Sequence, residues 1–294
     1  MPVSDSNSPE LTVVITTCNR SAVLEEALES VALQTWDGDW EVIILDNGST
    51  VENPQTLHRW VDKMPVPTRV IVATERHNPS YARNKAVACS LATSIAFVDD
   101  DDVVSPGWVE AIGRALRTHE FVGSKFDYDR LNDPALATLN SFQSERLGRH
   151  FGAEIVASGG SGCRRNLWNE VGGSDEAFRV AEDVDFSLRI ALRGGIAPHF
   201  CSGAIYHVRL RDGAGPAFAR GKRRGRAEVQ LFAAHRDAFG VSADSGTRVA
   251  ARWARLLLQL PTTISPRRRV HWAEQAGRRL GRLGSSVREK EWFP

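Results

Sequence analysis

Short apolar runs alternate with amphipathic stretches through the first hundred residues. LTVVITT (11–17), WEVIILD (40–46), TRVIVAT (68–74) and SIAFVD (94–99) are β-branched and apolar over most of their length, as in strands covered on both faces. SAVLEEALESVALQ places Val23, Ala27, Ser30 and Val31 at helical spacing. Further helices are expected from about Pro54 to Asp62 and over SYARNKAVACSLA. Another should begin at Pro106, with Ser105 as its cap and proline in its first turn. Strands alternating with helices predict an α/β fold with a mainly parallel central sheet, right-handed crossovers and flanking helices.

Ligands of such sheets bind beyond the C-terminal strand ends, and these ends are polar: TCNR, DNGST, TERHN and DDDD. Asn-Gly is also a turn signal. Four consecutive carboxylates repel one another, so Asp99–Asp102 need open solvent, a basic partner or a cation. The chain has no GxGxxG and no GxxxxGK[ST], which argues against the dinucleotide and P-loop versions of this architecture.

At 42% apolar and 25% charged residues, the 294-residue chain has a globular composition. It has no membrane-length apolar run and no signal-peptide pattern at MPVSDSNSPE, and its four cysteines are far apart. A cytoplasmic protein with reduced thiols is expected. The net charge of +1 conceals an asymmetry: Arg209–Pro294 holds 19 Lys+Arg against 7 Asp+Glu, and residues 1–208 hold 18 against 29. The chain therefore divides into an α/β domain over 10–208 and a basic, mainly helical C-terminal extension over 209–294.

Three stretches of that extension have helical spacing. In GTRVAARWARLLLQL, Val249, Trp253, Leu256, Leu257 and Leu260 share a face beside Arg248, Arg252 and Arg255. Such a helix suits either packing against the acidic domain or peripheral contact with the inner face of an anionic membrane. No groove-reading motif accompanies the charge, so nucleic acid is not an expected partner.

The ordered set VVITTCNR, VIILDNGST, SYARNKA, FVDDDDVVSPGW and GGSDEAFRVAEDVDFSLR resembles the inverting family 2 glycosyltransferases and their GT-A nucleotide-sugar-binding fold, over roughly residues 10–208. The resemblance implies a nucleotide-sugar donor, a UDP-sugar first, with Mg²⁺ or Mn²⁺ as cofactor. It sets Thr17, Asn19 and Arg20 against the nucleoside, Asp46 as acceptor for a uracil N–H, and Arg83 with Asn84 at base or diphosphate. Asp99 and Asp100 would lie near the ribose, Asp101 would bind the metal, and Asp102 is an additional contact. The sequence departs from the family pattern in DNGS for the commoner DDGS, and in lacking a glycine two residues after Asn84.

An inverting transfer needs a base on the acceptor side. The resemblance aligns Glu182 and Asp183 with the family's ED motif and makes Asp183 the general base, Glu182 an acceptor-side neighbour. Acids in a first helical turn also suit the helix dipole. Asp185 is expected to support the helix end or an arginine. The glycine-rich SGGSG either brings Gly160 to the acceptor side or is simply a loop, and His207 either completes the metal site, as in some relatives, or is structural. A lipid-linked or envelope glycan fits as acceptor if the extension meets membrane. A sugar-nucleotide nucleotidyltransferase would want a Gly- and Lys/Arg-rich loop after the first strand, where TTCNRSAVLEEA stands. A non-catalytic nucleotide-sugar-binding protein shares the pattern without needing the acidic motifs.

Overall fold

The computed structural model describes residues 8–19, 21–50, 53–138, 140–211, 213–243, 245–260 and 265–293. It forms two compact units: one of residues 1–131, 141–177 and 182–209, the other of 132–140, 178–181 and 210–294.

The first unit is built on an eight-stranded sheet. It opens with β1 (Leu11–Thr17), α1 (Ser21–Ala32), β2 (Trp40–Asp46), α2 (Asn53–Val61), β3 (Thr68–Val72), α3 (Pro79–Cys89) and β4 (Ser94–Asp99). These strands pair in parallel in the order β3-β2-β1-β4. Central residues Val13, Val14, Ile15, Ile43, Ile44 and Leu45 are wholly buried, as double-sided cover requires. The sheet continues through β5 (Val103–Val104), α4 (Trp108–Leu116) and β6 (Phe121–Asp127). Between the excursions of the chain follow the hairpin β7 (Gly148–His150) and β8 (Ala153–Ile155), then β9 (Ser161–Arg164), α6 (Arg165–Glu170), α7 (Glu182–Arg193) and β10 (His199–His207). The short α5 (Pro134–Ala137) lies in the second unit. β9 runs antiparallel between β4 and β6, β10 pairs parallel with β6, and β5 closes the edge antiparallel to β10.

Two expectations need adjustment. TRVIVAT forms a strand only as far as Val72. The helix expected from Pro106 begins at Trp108, because Gly107 has φ 79°, a left-handed conformation outside the helix. Ser105 contributes its backbone carbonyl to Trp108 N–H, 3.1 Å, and its hydroxyl does not act as the cap. Gln34 does that work from another helix end: its Oε1 accepts from Val109 N–H at 3.1 Å, and its Nε2 donates to the Ser105 carbonyl at 3.0 Å.

The second unit holds α8 (Ala214–His235), α9 (Gly246–Leu258) and α10 (Pro266–Glu289). These match the three helical stretches of the basic extension. α8 and α10 meet on four glycines, Gly221 and Gly225 against Gly277 and Gly281. A Cβ on any of them would collide with a backbone carbonyl of the facing helix. Leu136, Ala217, Val270 and Ala273 form a small apolar cluster there. α9 joins α10 through Trp272 Nε1, which donates to the Leu256 carbonyl at 2.9 Å. No helix among the described residues is long and apolar enough to cross a membrane.

Candidate active site

Parallel register brings the polar strand ends together, with Thr17 opposite Asp46 and Thr16 opposite Asp99. Thr17 is buried, and its carbonyl accepts from Asn47 N–H at 2.8 Å. Cys18 N–H donates to Asp100 Oδ2 at 3.3 Å. Asn19, at φ 56°, ties the first strand end to the second: its N–H donates to Ser49 Oγ at 2.9 Å, and its Oδ1 accepts from Thr50 N–H at 2.9 Å. Arg20 lies outside the described residues.

Asp46 is buried, and its Oδ1 accepts from Ser49 N–H at 2.9 Å, the turn-capping geometry. The neighbouring Asn47 was not singled out in the sequence. Its Nδ2 donates to the carbonyls of Ala73 and Arg76, both at 2.8 Å, and its Oδ1 accepts from Asn78 N–H at 2.9 Å. It therefore latches the second strand end to the third. An ionised aspartate there would have no proton for either carbonyl, which gives DNGS a local reason. Asn78 caps α3 through Ser80 N–H.

Arg83 stands at the middle of the site. It is 6% exposed, and donates from one nitrogen to Asp99 Oδ1 at 3.0 Å and from another to Glu182 Oε1 at 2.8 Å. Burial pushes its pKa down, but the two carboxylate charges outweigh that and leave it raised. A single guanidinium thus fastens the end of β4 to the start of α7. Asn84 serves a different purpose. Its side chain exchanges hydrogen bonds with the backbone of Ser174, 2.8 and 2.9 Å, and so holds the VGGSDEAF loop.

The four aspartates separate into different environments. Asp102 is buried, accepts from Arg209 N–H at 2.7 Å, and is pushed up to about 8 by burial first and the Asp99 charge next. Tyr206 Oη accepts from Asp99 N–H at 2.9 Å. Gly160, at φ 73°, packs on the Tyr206 ring and its N–H donates to the Phe97 carbonyl at 2.9 Å; a Cβ on Gly159 would meet Asp99 Oδ2. Asp99 and Asp101 are partly exposed, and both line the pocket together with Asp100.

His207 ends β10 with its Nδ1 2.6 Å from Asp127 Oδ2. Burial pushes the Asp127 carboxyl up, but the hydrogen bonds from His207, Arg130 and Asp129 outweigh it and hold the pKa below the ordinary value. Among the described residues, no three His, Cys, Asp or Glu side chains are arranged to hold a metal by themselves. Mg²⁺ is usually held by one or two carboxylates together with substrate phosphates. Asp101 and its neighbours on the pocket wall offer hard oxygens of that kind.

Asp183 follows Glu182 in the first turn of α7, and its Oδ1 accepts from Val184 N–H at 2.8 Å. Burial first, and the Glu182 charge second, push its carboxyl up to about 6. Asp185 pairs with Arg189 at 2.7 Å, and that guanidinium also donates to the Val171 and Gly173 carbonyls. Glu182 lines two cavities. One, of about 390 Å³, is walled by Thr17, Asn47, His77, Arg83 and Asp99–Asp101. The other is a narrow space beside it that includes Ser158, Trp168 and Asp183. The first has the size of a small-molecule site.

The family described as glycosyl transferase family 2 matches residues 12–165, from β1 through β9 and so across every strand end of this rim. The chain belongs to that family. It is a glycosyltransferase of the GT-A fold. A relative, the uncharacterized glycosyltransferase YwdF of Bacillus subtilis (strain 168), is 29% identical over 203 residues, 67% of this chain and 74% of its own length. Among solved structures, mannosyltransferase PcManGT from Pyrobaculum calidifontis, in complex with GDP-Man and Mn²⁺, covers 97% of this glycosyltransferase and 88% of its own chain. Its TM-score is 0.66 and its identity 18%. S. aureus TarS 1–349 in complex with UDP-GlcNAc covers 97% and 93%, with a TM-score of 0.55 and 16% identity.

Proposed function

We propose that this glycosyltransferase uses a nucleoside-diphosphate sugar, a UDP-sugar first, with Mg²⁺ or Mn²⁺, and inverts the anomeric centre in a single displacement. The observation that carries the reading is the bridge from Arg83 to both Asp99 and Glu182. It sets a carboxylate-lined donor pocket directly beside an acid of raised pKa. A base works best with a pKa near the working pH.

In this reading Thr17, Asn19, Arg20 and Asp46 meet the nucleoside, and Asp99 and Asp100 the ribose. Asp46 has Oδ2 left for a uracil N–H, its Oδ1 being held by Ser49. Arg83 keeps Asp99 in place and, being always charged, also faces the diphosphate. A divalent ion held by Asp101 and the diphosphate oxygens would offset the charge growing on the leaving group. Asp183 takes the proton of the acceptor hydroxyl while its oxygen attacks the anomeric carbon and the bond to the diphosphate breaks. Glu182 and Gly160 border the acceptor side. The raised acid of Asp183 keeps its proton below about pH 6 and is ready as base above it.

A second reading concerns the acceptor. Leu257, Leu258 and Leu260 on and just after α9 are exposed next to exposed Arg248 and Arg255. That combination suits contact with an anionic membrane surface and hence a lipid-linked or envelope acceptor. The test is turnover of UDP-sugars and GDP-mannose with Mn²⁺ and with EDTA, with the product anomer assigned by NMR. A metal-dependent, inverted product is expected from one UDP-sugar. A retained anomer, or full turnover in excess EDTA, would overturn the reading.

A further inference from the structure

We propose that the cavity between α9 and α10 is a binding site for a phosphate monoester group. The site belongs to the second unit alone and does not depend on the donor reading. It has a volume of about 260 Å³, and its polar wall is Arg252 from α9 with Gln275, Arg278, Arg279 and Arg282 from α10, beside the Trp253 indole. Among the described residues, no acid lines it.

Among the described residues, Glu228 answers two arginines of this wall, and Glu274 and Glu291 pair away from it. Glu228 pairs with Arg278 at 2.5 Å and with Arg282 at 3.7 Å, Glu274 pairs with Arg220 and Arg224, and Glu291 pairs with Arg236. Arg279 hydrogen-bonds the Gln275 carbonyl at 3.2 Å and Gln275 Oε1 at 3.3 Å, both uncharged. The Nε atoms of Arg278 and Arg279 are buried and have no hydrogen-bond partner. Burial first, then the charges of Arg252, Arg278 and Arg255, push the Arg279 pKa below its ordinary value.

Folded proteins rarely leave buried donors unpaired, and crowding like charges raises the energy of the folded state. The crowding of like charge is relieved if an anion occupies the cavity. Guanidinium forks match the oxygens of a phosphate and bind it in bidentate fashion. The group can belong to a soluble phosphorylated molecule or to a lipid headgroup, since both present the same oxygens.

The experiment uses the full chain and two probes at matched ionic strength: inorganic phosphate by calorimetry, and phosphatidylcholine vesicles with or without phosphatidic acid by sedimentation. Arg279→Gln and Arg252→Gln remove cavity donors, whereas Arg223→Gln removes an exposed charge on α8. Arg278 and Arg282 are left intact because of their pairing with Glu228. Binding should weaken about tenfold or more in each of the first two variants and stay near wild type in the third. Phosphate also bound at the donor pocket is common to all variants and leaves these differences unchanged. A response to phosphatidic acid that soluble phosphate competes away identifies a headgroup; binding of soluble phosphate alone identifies a free ester. If Arg279→Gln fails to fold, Arg252→Gln gives the same reading. Wild-type binding by both cavity variants in both assays would overturn the site. So would an equal loss in Arg223→Gln, which would mark a general charge effect.

Discussion

The two units handle charge in opposite ways. In the sheet unit, buried charges meet their opposites: Arg83 lies between Asp99 and Glu182, Glu41 is bonded by Arg69 at 2.9 Å, and Asp185 by Arg189. Asp99 and Asp101, partly exposed, stand on the wall of one pocket. In the helical unit one sign prevails, and several arginines gather with too few acids nearby to answer them. Burying a charge is tolerable only when it is paired. The first unit thus supplies pairs for such charges within itself, and gathers Asp99–Asp101 on the wall of the pocket proposed for the donor. The second pairs Arg278 and Arg282 with Glu228 and, in the proposal above, presents the same cavity wall to an anion from outside.

The largest expected effect tests the exposed acids. Asp101→Ala should lower donor turnover by about 10³-fold or more, since loss of a metal contact removes several kcal/mol of charge stabilisation. Circular dichroism should show the fold intact, and an active variant would remove Asp101 from the metal's ligands. Next comes internal pairing. Arg83→Met strands Asp99 and Glu182, and a cost of about 3–5 kcal/mol in chemical denaturation is expected. A loss confined to activity would mean that the bridge contributes little to the fold.

The third effect concerns the base. Asp183→Asn should reduce transfer by at least ~10²-fold while donor binding survives. The wild-type rate should rise through about pH 6 as Asp183 loses its proton. The same shift has a stability consequence. The folded-state pKa lies above the ordinary carboxylate value, so this group favours folding at low pH, and the contribution disappears as pH rises through about 6. Asp183→Asn should therefore raise the thermal midpoint more at pH 8 than at pH 5. If Asp185→Asn were instead the inactive variant, the base would lie one half-turn further along α7. The smallest effect tests close packing in the second unit. Gly281→Ala should destabilise by about 1–3 kcal/mol, the usual cost of an inserted methyl in a filled contact.

The strands of the first half were readable because unbroken β-branched runs have few alternatives to a buried parallel strand. β1, β2 and β4 fall where those runs lie. The start of α4 was not, because it depends on Gln34, more than seventy residues away in sequence, and on the left-handed Gly107. Proline after serine gave only the local half of that information. At the site, Arg83 was marked as a phosphate contact, but its simultaneous hold on Asp99 and Glu182 joins elements far apart in the chain. Asn47 was passed over because Asn-Gly reads first as a turn; its three latching hydrogen bonds depend on where the third strand end comes to lie. The helix contact in the second unit did leave a trace. GKRRG and GRRLG both carry glycines four residues apart, which places them on one helical face.

Those glycines also fix the rotation of α10 about its own axis. Successive residues of a helix point about 100° apart, so Arg278 and Arg279 face different neighbours although they are adjacent in the chain. Both border the cavity shared with α9, but Arg278 also reaches Glu228 on α8, whereas Arg279 hydrogen-bonds the uncharged Gln275. Turning α10 by one residue would bring Arg279 round to the acid and carry Arg278 into the direction Gly277 now takes. It would also push side chains into the places now held by Gly277 and Gly281, where the facing backbone leaves no room. The glycine contact therefore works as a rotational key: it decides which of two adjacent guanidinium groups meets the acid of α8.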